Sequence, residues 1–328
     1  MEKNLEKIKN SRILITGGLG LVGSAIARRL LKESVREVVI FDVKKDLPSA
    51  LQEVEGWERL RILAGDIRNP EHVRSAVEGC DYVFHQAALR VTFCEKEPRL
   101  AHEVMVDGTF NVVAACAAKK VKKVIFASSA IIYGEPVSLP LQENHPLHDT
   151  TLYGVFKASN EMLLRSFWKN QGLDYLVLRY FNIYGPGMNL FGSEVEVLIR
   201  WLDRIDQGLA PLIFGDGQQT LDWISIHDIA EANWLALLSD ATGEALNICT
   251  GRETSLLQLL ELLLKASKAA ILPEFREARA INHVPRRFGS FEKAHRLLGF
   301  TPRISLEQGI AEFVEWRKSV LDATRPRS

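Results

Sequence analysis

The stretch from Arg12 to Gly23 restricts the fold more than any other part of this chain. Arg12 to Thr16 is a short apolar run suited to a buried strand. It leads without a break into Thr16-Gly17-Gly18-Leu19-Gly20-Leu21-Val22-Gly23, where a helical pattern begins. Glycines at this spacing between a strand and a helix permit a tight turn at Gly17, a close approach to the backbone at Gly20 and close packing of helix on strand at Gly23. The alternation then repeats. Glu37 to Asp42, Leu60 to Ala64, Tyr82 to Gln86, Lys123 to Ser129 and Tyr175 to Tyr180 read as strands, with helical patterns between them that include Leu21 to Lys32, Glu97 to Lys120 and Tyr153 to Asn170. Short β-branched runs alternating with helices imply a parallel sheet wound with helices on both faces.

The expected class is therefore α/β, a Rossmann-type doubly wound parallel sheet with a smaller α/β substrate-binding lobe. A chain of 328 residues, 47% of them hydrophobic, supports one large core or two unequal lobes. Gly185, Pro186, Gly187 and Asn189 break the regular texture after Tyr184. The boundary is placed there, with residues 1–184 as the first lobe and 185–328 as mainly the second, some segments returning to the first sheet. The 41 basic and 41 acidic residues cancel, so no overall field favours nucleic acid or an anionic membrane, and neither is expected as a partner. Cys80, Cys94, Cys116 and Cys249 lie far apart without a CxxC pair, which signals neither a disulfide framework nor a metal site. Met1 to Asn10 lacks an apolar core of signal-peptide length and no later stretch could span a bilayer, so a cytoplasmic protein is expected.

The glycine turn is a candidate dinucleotide site. The helix that opens at Leu21 and Val22 offers amide donors and a partial positive charge to phosphates. Asp42 ends the second strand about twenty residues on, where a carboxylate accepts hydrogen bonds from ribose hydroxyls and repels a 2′-phosphate, which favours NAD over NADP. Asp66, in Gly65-Asp66-Ile67-Arg68-Asn69, has two readings: it binds the adenine amino group, or it caps the helix after Pro70.

Tyr153 and Lys157 stand four apart on a helix and project from one face. A tyrosine of ordinary pKa about 10 serves as a base near neutrality only if its phenolate is favoured. That asks for roughly 4 kcal/mol from the lysine and an oxidised nicotinamide together. In isolation the pair also fits an ordinary surface contact. Ser129 adds weight to the catalytic reading, because it ends a strand at the sheet edge where doubly wound folds hold ligands, and its hydroxyl could share a substrate proton with Tyr153.

These segments occur in order with His85-Gln86-Ala87-Ala88-Leu89-Arg90, Ser128-Ser129-Ala130-Ile131-Ile132-Tyr133-Gly134, Tyr153-Gly154-Val155-Phe156-Lys157 and Arg179-Tyr180-Phe181-Asn182-Ile183-Tyr184-Gly185-Pro186. The whole set resembles the extended short-chain dehydrogenase/reductases that modify nucleotide sugars, the NAD-dependent epimerase/dehydratase family, and especially its UDP-sugar 4-epimerases. The resemblance implies Ser129, Tyr153 and Lys157 as catalytic residues, Asp42 on the adenosine ribose, and Asp66 and Ile67 around the adenine. It implies Ala87, Ala88 and Arg90 beside the nicotinamide ribose, Tyr180 near the nicotinamide, and Asn182 on the sugar-phosphate part of the substrate. His85 matches a family histidine, and a structural role fits it as well as a chemical one. The family also implies a homodimer whose seam is made by Glu97 to Lys120 and Tyr153 to Asn170.

Three departures matter. Phe214 to Trp223 resembles the segment that wraps the nucleotide diphosphate, but the arginine usual before Asp222 is Leu221, and leucine makes no phosphate contact. The diphosphate must then lean on Arg287 or Arg286, unless both simply decorate the surface. Met105 replaces an asparagine frequent before Gly108-Thr109. Ala130 and Ile131 occupy the positions where 4,6-dehydratases of the family carry Asp and Glu, the acid and base for losing water. The expected activity is NAD-dependent C4 epimerisation of a nucleotide sugar, a UDP-hexose, UDP-N-acetylhexosamine or UDP-hexuronic acid, through a 4-keto intermediate; Val91 to Glu95, Asn189 to Glu194 and Arg286 to Phe288 are the stretches expected to decide which. The alternatives are another nucleotide-sugar oxidoreductase, such as a 2-epimerase, 4-keto reductase or dehydratase, or a non-catalytic NAD-binding protein.

Overall fold

The computed structural model describes residues 6, 8–46, 51, 54–191, 195–278 and 284–324. Six strands of the main sheet come from residues 12–180: β1 (Arg12–Thr16), β2 (Glu37–Asp42), β3 (Leu60–Ala64), β4 (Tyr82–His85), β5 (Lys123–Ser129) and β6 (Tyr175–Tyr180). The chain then leaves the sheet to form β7 (Asn182–Tyr184), β8 (Leu212–Phe214), β9 (Thr220–Leu221) and β10 (Trp223–Ser225). It returns with β11 (Glu244–Ile248), which pairs with β6 in parallel. The sheet order is β11-β6-β5-β4-β1-β2-β3, and every pairing is parallel. This is the Rossmann order with one strand added at the β6 edge. It reverses direction at β1, whose C-terminal end faces a crevice between β2 and β4.

Burial on both faces explains the nearly continuous apolar strands. On one face Ile13, Ile15, Ile40, Phe84 and Ile125 pack with α1 (Leu21–Leu31) and with the returning helix of residues 226–238. On the other, Leu14, Val39, Val83 and Phe126 pack with α2 (Pro70–Val77) and with helical segments of residues 108–171. Residues 226–248 thus complete the first lobe after the chain has begun the second.

Glu97 to Lys120 is not one helix. After α3 (Val91–Lys96), α4 (Pro98–His102) runs into a π-turn at Glu103–Asp107, where Gly108 N donates to Glu103 O, and α5 (Gly108–Ala118) follows. The wide turn turns the Met105 carbonyl toward Thr109 Oγ1 (2.7 Å) and Asn160 Nδ2 (2.7 Å), and Met105 Sδ accepts from Leu89 N (3.2 Å). The helix α6 (Leu152–Gln171) lies alongside, started by Thr151, whose hydroxyl accepts from Gly154 N (3.1 Å).

The second lobe contains α7 (Val197–Asp206), while α8 (Ile226–Leu238) is the helix returned to the first. The helix α10 (Glu292–Leu298) likewise packs on the first, against β11 and α8, while the second lobe's remaining elements are α9 (Leu256–Ser267), α11 (Leu306–Thr324) and the short strands β12 (Thr254–Ser255), β13 (Glu274–Arg276) and β14 (Arg286–Arg287). Trp201, Leu202, Leu259, Leu263, Ile310 and Phe313 form its core. No helix among the described residues is long and apolar enough to cross a membrane.

Candidate active site

The glycine turn is built as its spacing requires. Gly17 has φ +65°, and a Cβ there would lie 2.7 Å from the Ala87 backbone. A Cβ on Gly23 would collide with Gly17 O and Gly18 Cα, so the third glycine brings the helix against the turn rather than against the strand proper. Gly20 stands at the N-cap of α1, and a Cβ there would meet only Gly17 O, at 3.3 Å. The turn therefore leaves the first amides of α1 open to a cleft lined by Gly17, Gly20, Leu21, Val22 and Gly23 on one side and Ala88, Arg90 and Tyr153 on another. A dinucleotide pyrophosphate fits this cradle, with backbone donors and the positive end of a helix facing it.

Asp42 sits at the end of β2 beside the turn, its carboxylate accepting from Leu19 N (3.1 Å) and Lys44 N (3.0 Å). At the next strand end, Asp66 pairs with Arg68 (2.6 Å), which holds its carboxyl below the usual range, and Ile67 is buried against Gly108. Asp66 does not cap α2. Asn69 does, accepting from Glu71 N (2.9 Å) and His72 N (3.3 Å), directly ahead of Pro70 where that helix begins. Ala88 and Arg90 border the cleft, and Arg90 pairs across it with Glu196 (3.5 Å). Ala87 instead turns inward, against Gly17 and the core on the α5 side of the sheet.

Ser129 ends β5 and caps the 3₁₀ turn Ala130–Tyr133, accepting from Ile131 N (3.2 Å). Its hydroxyl faces that of Tyr153, which reaches the cleft from the first turn of α6. Lys157 is buried one turn further on. Its ammonium donates to Ala127 O (2.6 Å) and lies 5.7 Å from the centre of the Tyr153 ring. Burial pushes Tyr153 up to about 12, opposed by the nearby Ser129 hydroxyl, and pushes Lys157 down to about 8. Forming the phenolate at neutral pH from this starting point asks for about 7 kcal/mol, more than the sequence reading allowed, because the site is drier than a helix surface.

His85 has a structural role. It is buried between Thr16 Oγ1 (2.6 Å) and Thr109 Oγ1 (3.0 Å), and burial lowers it to about 3, so the ring is neutral. The Tyr180 hydroxyl turns toward α8, donating to Asn233 Oδ1 (3.0 Å) and Gln86 Oε1 (3.3 Å), and only Gln86 of these three borders the cleft. Asn182 donates through its backbone and side chain to Asp222 O (3.0 and 3.3 Å).

The two late arginines separate cleanly. Arg286 is exposed and bound by both oxygens of Glu253 (2.6 and 2.7 Å). Arg287 is the parallel register partner of Leu221, so a guanidinium stands beside the position where the family arginine is missing. Its Nε is fully shielded with no hydrogen-bond partner, and burial lowers its pKa against the pull of Asp149. Of the stretches expected to read the hexose, residues 192–194 lie outside the described residues.

Two features were not anticipated. Asp222 is completely buried and accepts from Thr250 N (2.8 Å), Thr250 Oγ1 (2.6 Å), Gly251 N (2.9 Å) and Gly289 N (3.4 Å), tying three distant segments together. Burial raises its pKa against these hydrogen bonds. Glu161, four residues beyond Lys157, is buried in an ion pair with Arg179 (2.6 Å). The i, i+4 spacing from Tyr153 through Lys157 to Glu161 was a usable signal for the second.

The profile of the family described as "NAD dependent epimerase/dehydratase family" matches residues 13–249. The chain is 31% identical to the solved UDP-glucose 4-epimerase with UDP-glucose from Thermotoga maritima, covering 94% of this chain and 99% of that one with a TM-score of 0.88. It is 30% identical to the UDP-N-acetylglucosamine 4-epimerase from Methanobrevibacter ruminantium in complex with UDP-N-acetylmuramic acid, covering 95% and 99% with a TM-score of 0.89. A UDP-N-acetyl-alpha-D-glucosaminuronate decarboxylase of Bacillus cytotoxicus is 31% identical over 321 residues, 94% of this chain and 98% of that protein. The glycine cradle, the Ser129, Tyr153 and Lys157 cluster and these likenesses agree: the chain belongs to the NAD-dependent epimerase/dehydratase family, and its cofactor is NAD.

Proposed function

We propose that the protein inverts C4 of a UDP-linked sugar, a UDP-hexose, UDP-N-acetylhexosamine or UDP-hexuronic acid, through a 4-keto intermediate. The observation that carries this reading is the Ser129 and Tyr153 hydroxyl pair at the cleft, backed by Lys157 and followed by Ala130 and Ile131. Tyr153, with Ser129, takes the proton of the C4 hydroxyl and later returns it. NAD, when bound, supplies the acceptor and donor for the hydride at C4. The Lys157 ammonium favours the phenolate, and the partial positive charge at the start of α6 adds to it. Ala130 and Ile131 offer neither acid nor base in the turn after Ser129, which disfavours loss of water or carbon dioxide.

In this reading the first lobe holds NAD through Gly17, Gly20, Leu21, Val22, Gly23, Asp42, Asp66, Ile67, Ala88 and Arg90, with Tyr153 and Lys157 at the nicotinamide end, while Ala87 and Tyr180 back the cleft wall from behind. The second holds the nucleotide sugar, with Arg287 on the diphosphate and Asn182 near the sugar. Phe110 on α5, with Val155 and Met162 on α6, are exposed apolar side chains, and they support a homodimer seam along these helices. The four cysteines are buried free thiols, which suits a reducing, cytoplasmic setting. Incubation with a panel of UDP-sugars, followed by NMR of the products, tests the activity. C4-inverted product from at least one sugar is expected, and stoichiometric consumption of NAD(P)H would favour a reductase instead.

A further inference from the structure

Three consecutive residues of β5 are each met by a different residue on one face of α6. Ala127 O accepts from Lys157 Nζ (2.6 Å), Ser128 Oγ donates to Glu161 Oε1 (2.5 Å), and the Ser129 hydroxyl faces the Tyr153 phenol. The helix residues are spaced four apart, so a shift of α6 along β5 would disturb all three contacts together. The Glu161 end is the most heavily built. Both its carboxylate oxygens take Arg179, Oε1 from Nε (3.0 Å) and Oε2 from Nη2 (2.6 Å), with side-chain exposures of 10% and 7%. Arg179 Nη1 also donates to Tyr133 OH (2.9 Å) and Glu143 O (3.0 Å), and Tyr133 OH donates to Asn247 Oδ1 (2.7 Å). Glu161 therefore rests on a network that reaches β5, β6, β11 and the turn after Ser129.

The charge pattern around Lys157 is as restricted as its geometry. On its own helix it lies over the Tyr153 ring and one turn before Glu161, which Arg179 of β6 holds; the groups whose charge it feels from other elements are Cys94 on α3 and His85 on β4. Burial keeps Cys94 a thiol, pushed up to about 11, and His85 a neutral ring. Glu161, clamped by Arg179 through both oxygens, is the carboxylate of this set. A buried ammonium with no counter-charge gives up its proton.

We propose that Glu161 is a positioning residue for the catalytic pair: held by Arg179 and Ser128, it locks α6 in register on β5 and supplies the counter-charge that keeps Lys157 an ammonium beside Tyr153. This rests on the catalytic reading above only for its kinetic arm.

The deciding experiment follows the lysine side chains of the NAD-containing protein by NMR of 13C-labelled Cε as pH is raised, with Lys157→Met identifying the signal. In Glu161→Gln the Lys157 midpoint is expected to fall by about one pH unit or more, because the anion is lost and Arg179 is left uncompensated. Glu161→Asp, which keeps the charge, should stay close to the wild type. An unchanged midpoint in Glu161→Gln overturns the proposal, even if thermal stability drops. The kinetic arm uses Ser128→Ala, a mild change that leaves the ion pair in place: kcat should fall about threefold to tenfold with KM unchanged. Wild-type kcat in that variant overturns the register lock. If the wild type inverts no sugar, the proposed activity fails by itself, and the lysine titration still decides the role of Glu161.

Discussion

Arg287→Met separates what the chain needs for folding from what it needs for its ligand. The guanidinium is shielded at Nε without a partner and its charge is disfavoured by burial, so it weakens the unliganded fold. An unsatisfied buried polar group costs about 1–3 kcal/mol. A linear apolar side chain of similar length should therefore stabilise the unliganded protein by about 1 kcal/mol, a rise in Tm of about 1–2 °C for a chain of this size. The same change removes a charge-assisted contact to the diphosphate, worth about 1.5–3 kcal/mol, or about 10- to 150-fold in affinity. Calorimetric titration with UDP measures this without turnover, and the KM for the sugar substrate should rise in parallel with kcat little changed. Leu221→Ala and Arg286→Met serve as comparisons, since one has no charge and the other is engaged by Glu253. Both should change UDP affinity by less than about threefold. Equal small effects in all three variants, or a lower Tm in Arg287→Met, would refute the assignment of Arg287 to the diphosphate.

Tyr153→Phe should lose about 10²- to 10⁴-fold in turnover while the purified protein keeps NAD, because only the phenolic oxygen is removed; near-normal activity would end the mechanism. Substrate and product should have identical mass by mass spectrometry, and a stable product lighter by one water, formed without reductant, would move the protein to the dehydratases despite Ala130 and Ile131. His85, about 3 in the fold and 6.5 when free, binds a proton in the unfolded chain but not in the folded one between those values. Stability should therefore be lost as pH falls below 6.5, by up to about 5 kcal/mol at pH 3 from this group. Urea unfolding at pH 7 and pH 4.5 should show a smaller difference in His85→Gln than in the wild type, and an equal difference would place the acid sensitivity elsewhere.

The sheet was readable because each main strand is a short apolar run with punctuation on both sides, and the glycine turn fixes which strand comes first at the crevice. The π-turn was not readable, since the apolar pattern of residues 97–120 tolerates one extra residue without losing its helical look. Choosing between Arg286 and Arg287 required the strand itself, because neighbours on a strand face opposite sides and the sequence does not say which side meets Leu221. Asp222 looked like any acid beside an apolar residue; its partners at 250, 251 and 289 are distant in the chain and become visible only when the loops meet. The capping of α2 was available earlier. Asn69 directly precedes Pro70, a stronger start signal than an aspartate three residues further back.

The π-turn at Glu103–Asp107 also acts as a phase shifter. Each residue advances an α-helix by about 100°, so the extra residue rotates everything after it by that amount relative to an unbroken helix. Ahead of the turn, Ala101 is directed to the cluster that holds Cys94 and Phe156 under Tyr153; beyond it, Val112, Val113 and Cys116 are directed to the sheet. Without the added residue one helix could not serve both surfaces. Removing a single residue anywhere in 103–107 would leave the composition and hydrophobicity of the segment almost untouched, yet it would turn one of these two faces away from its partner, so length within this helix is under tighter constraint than the identity of most of its residues.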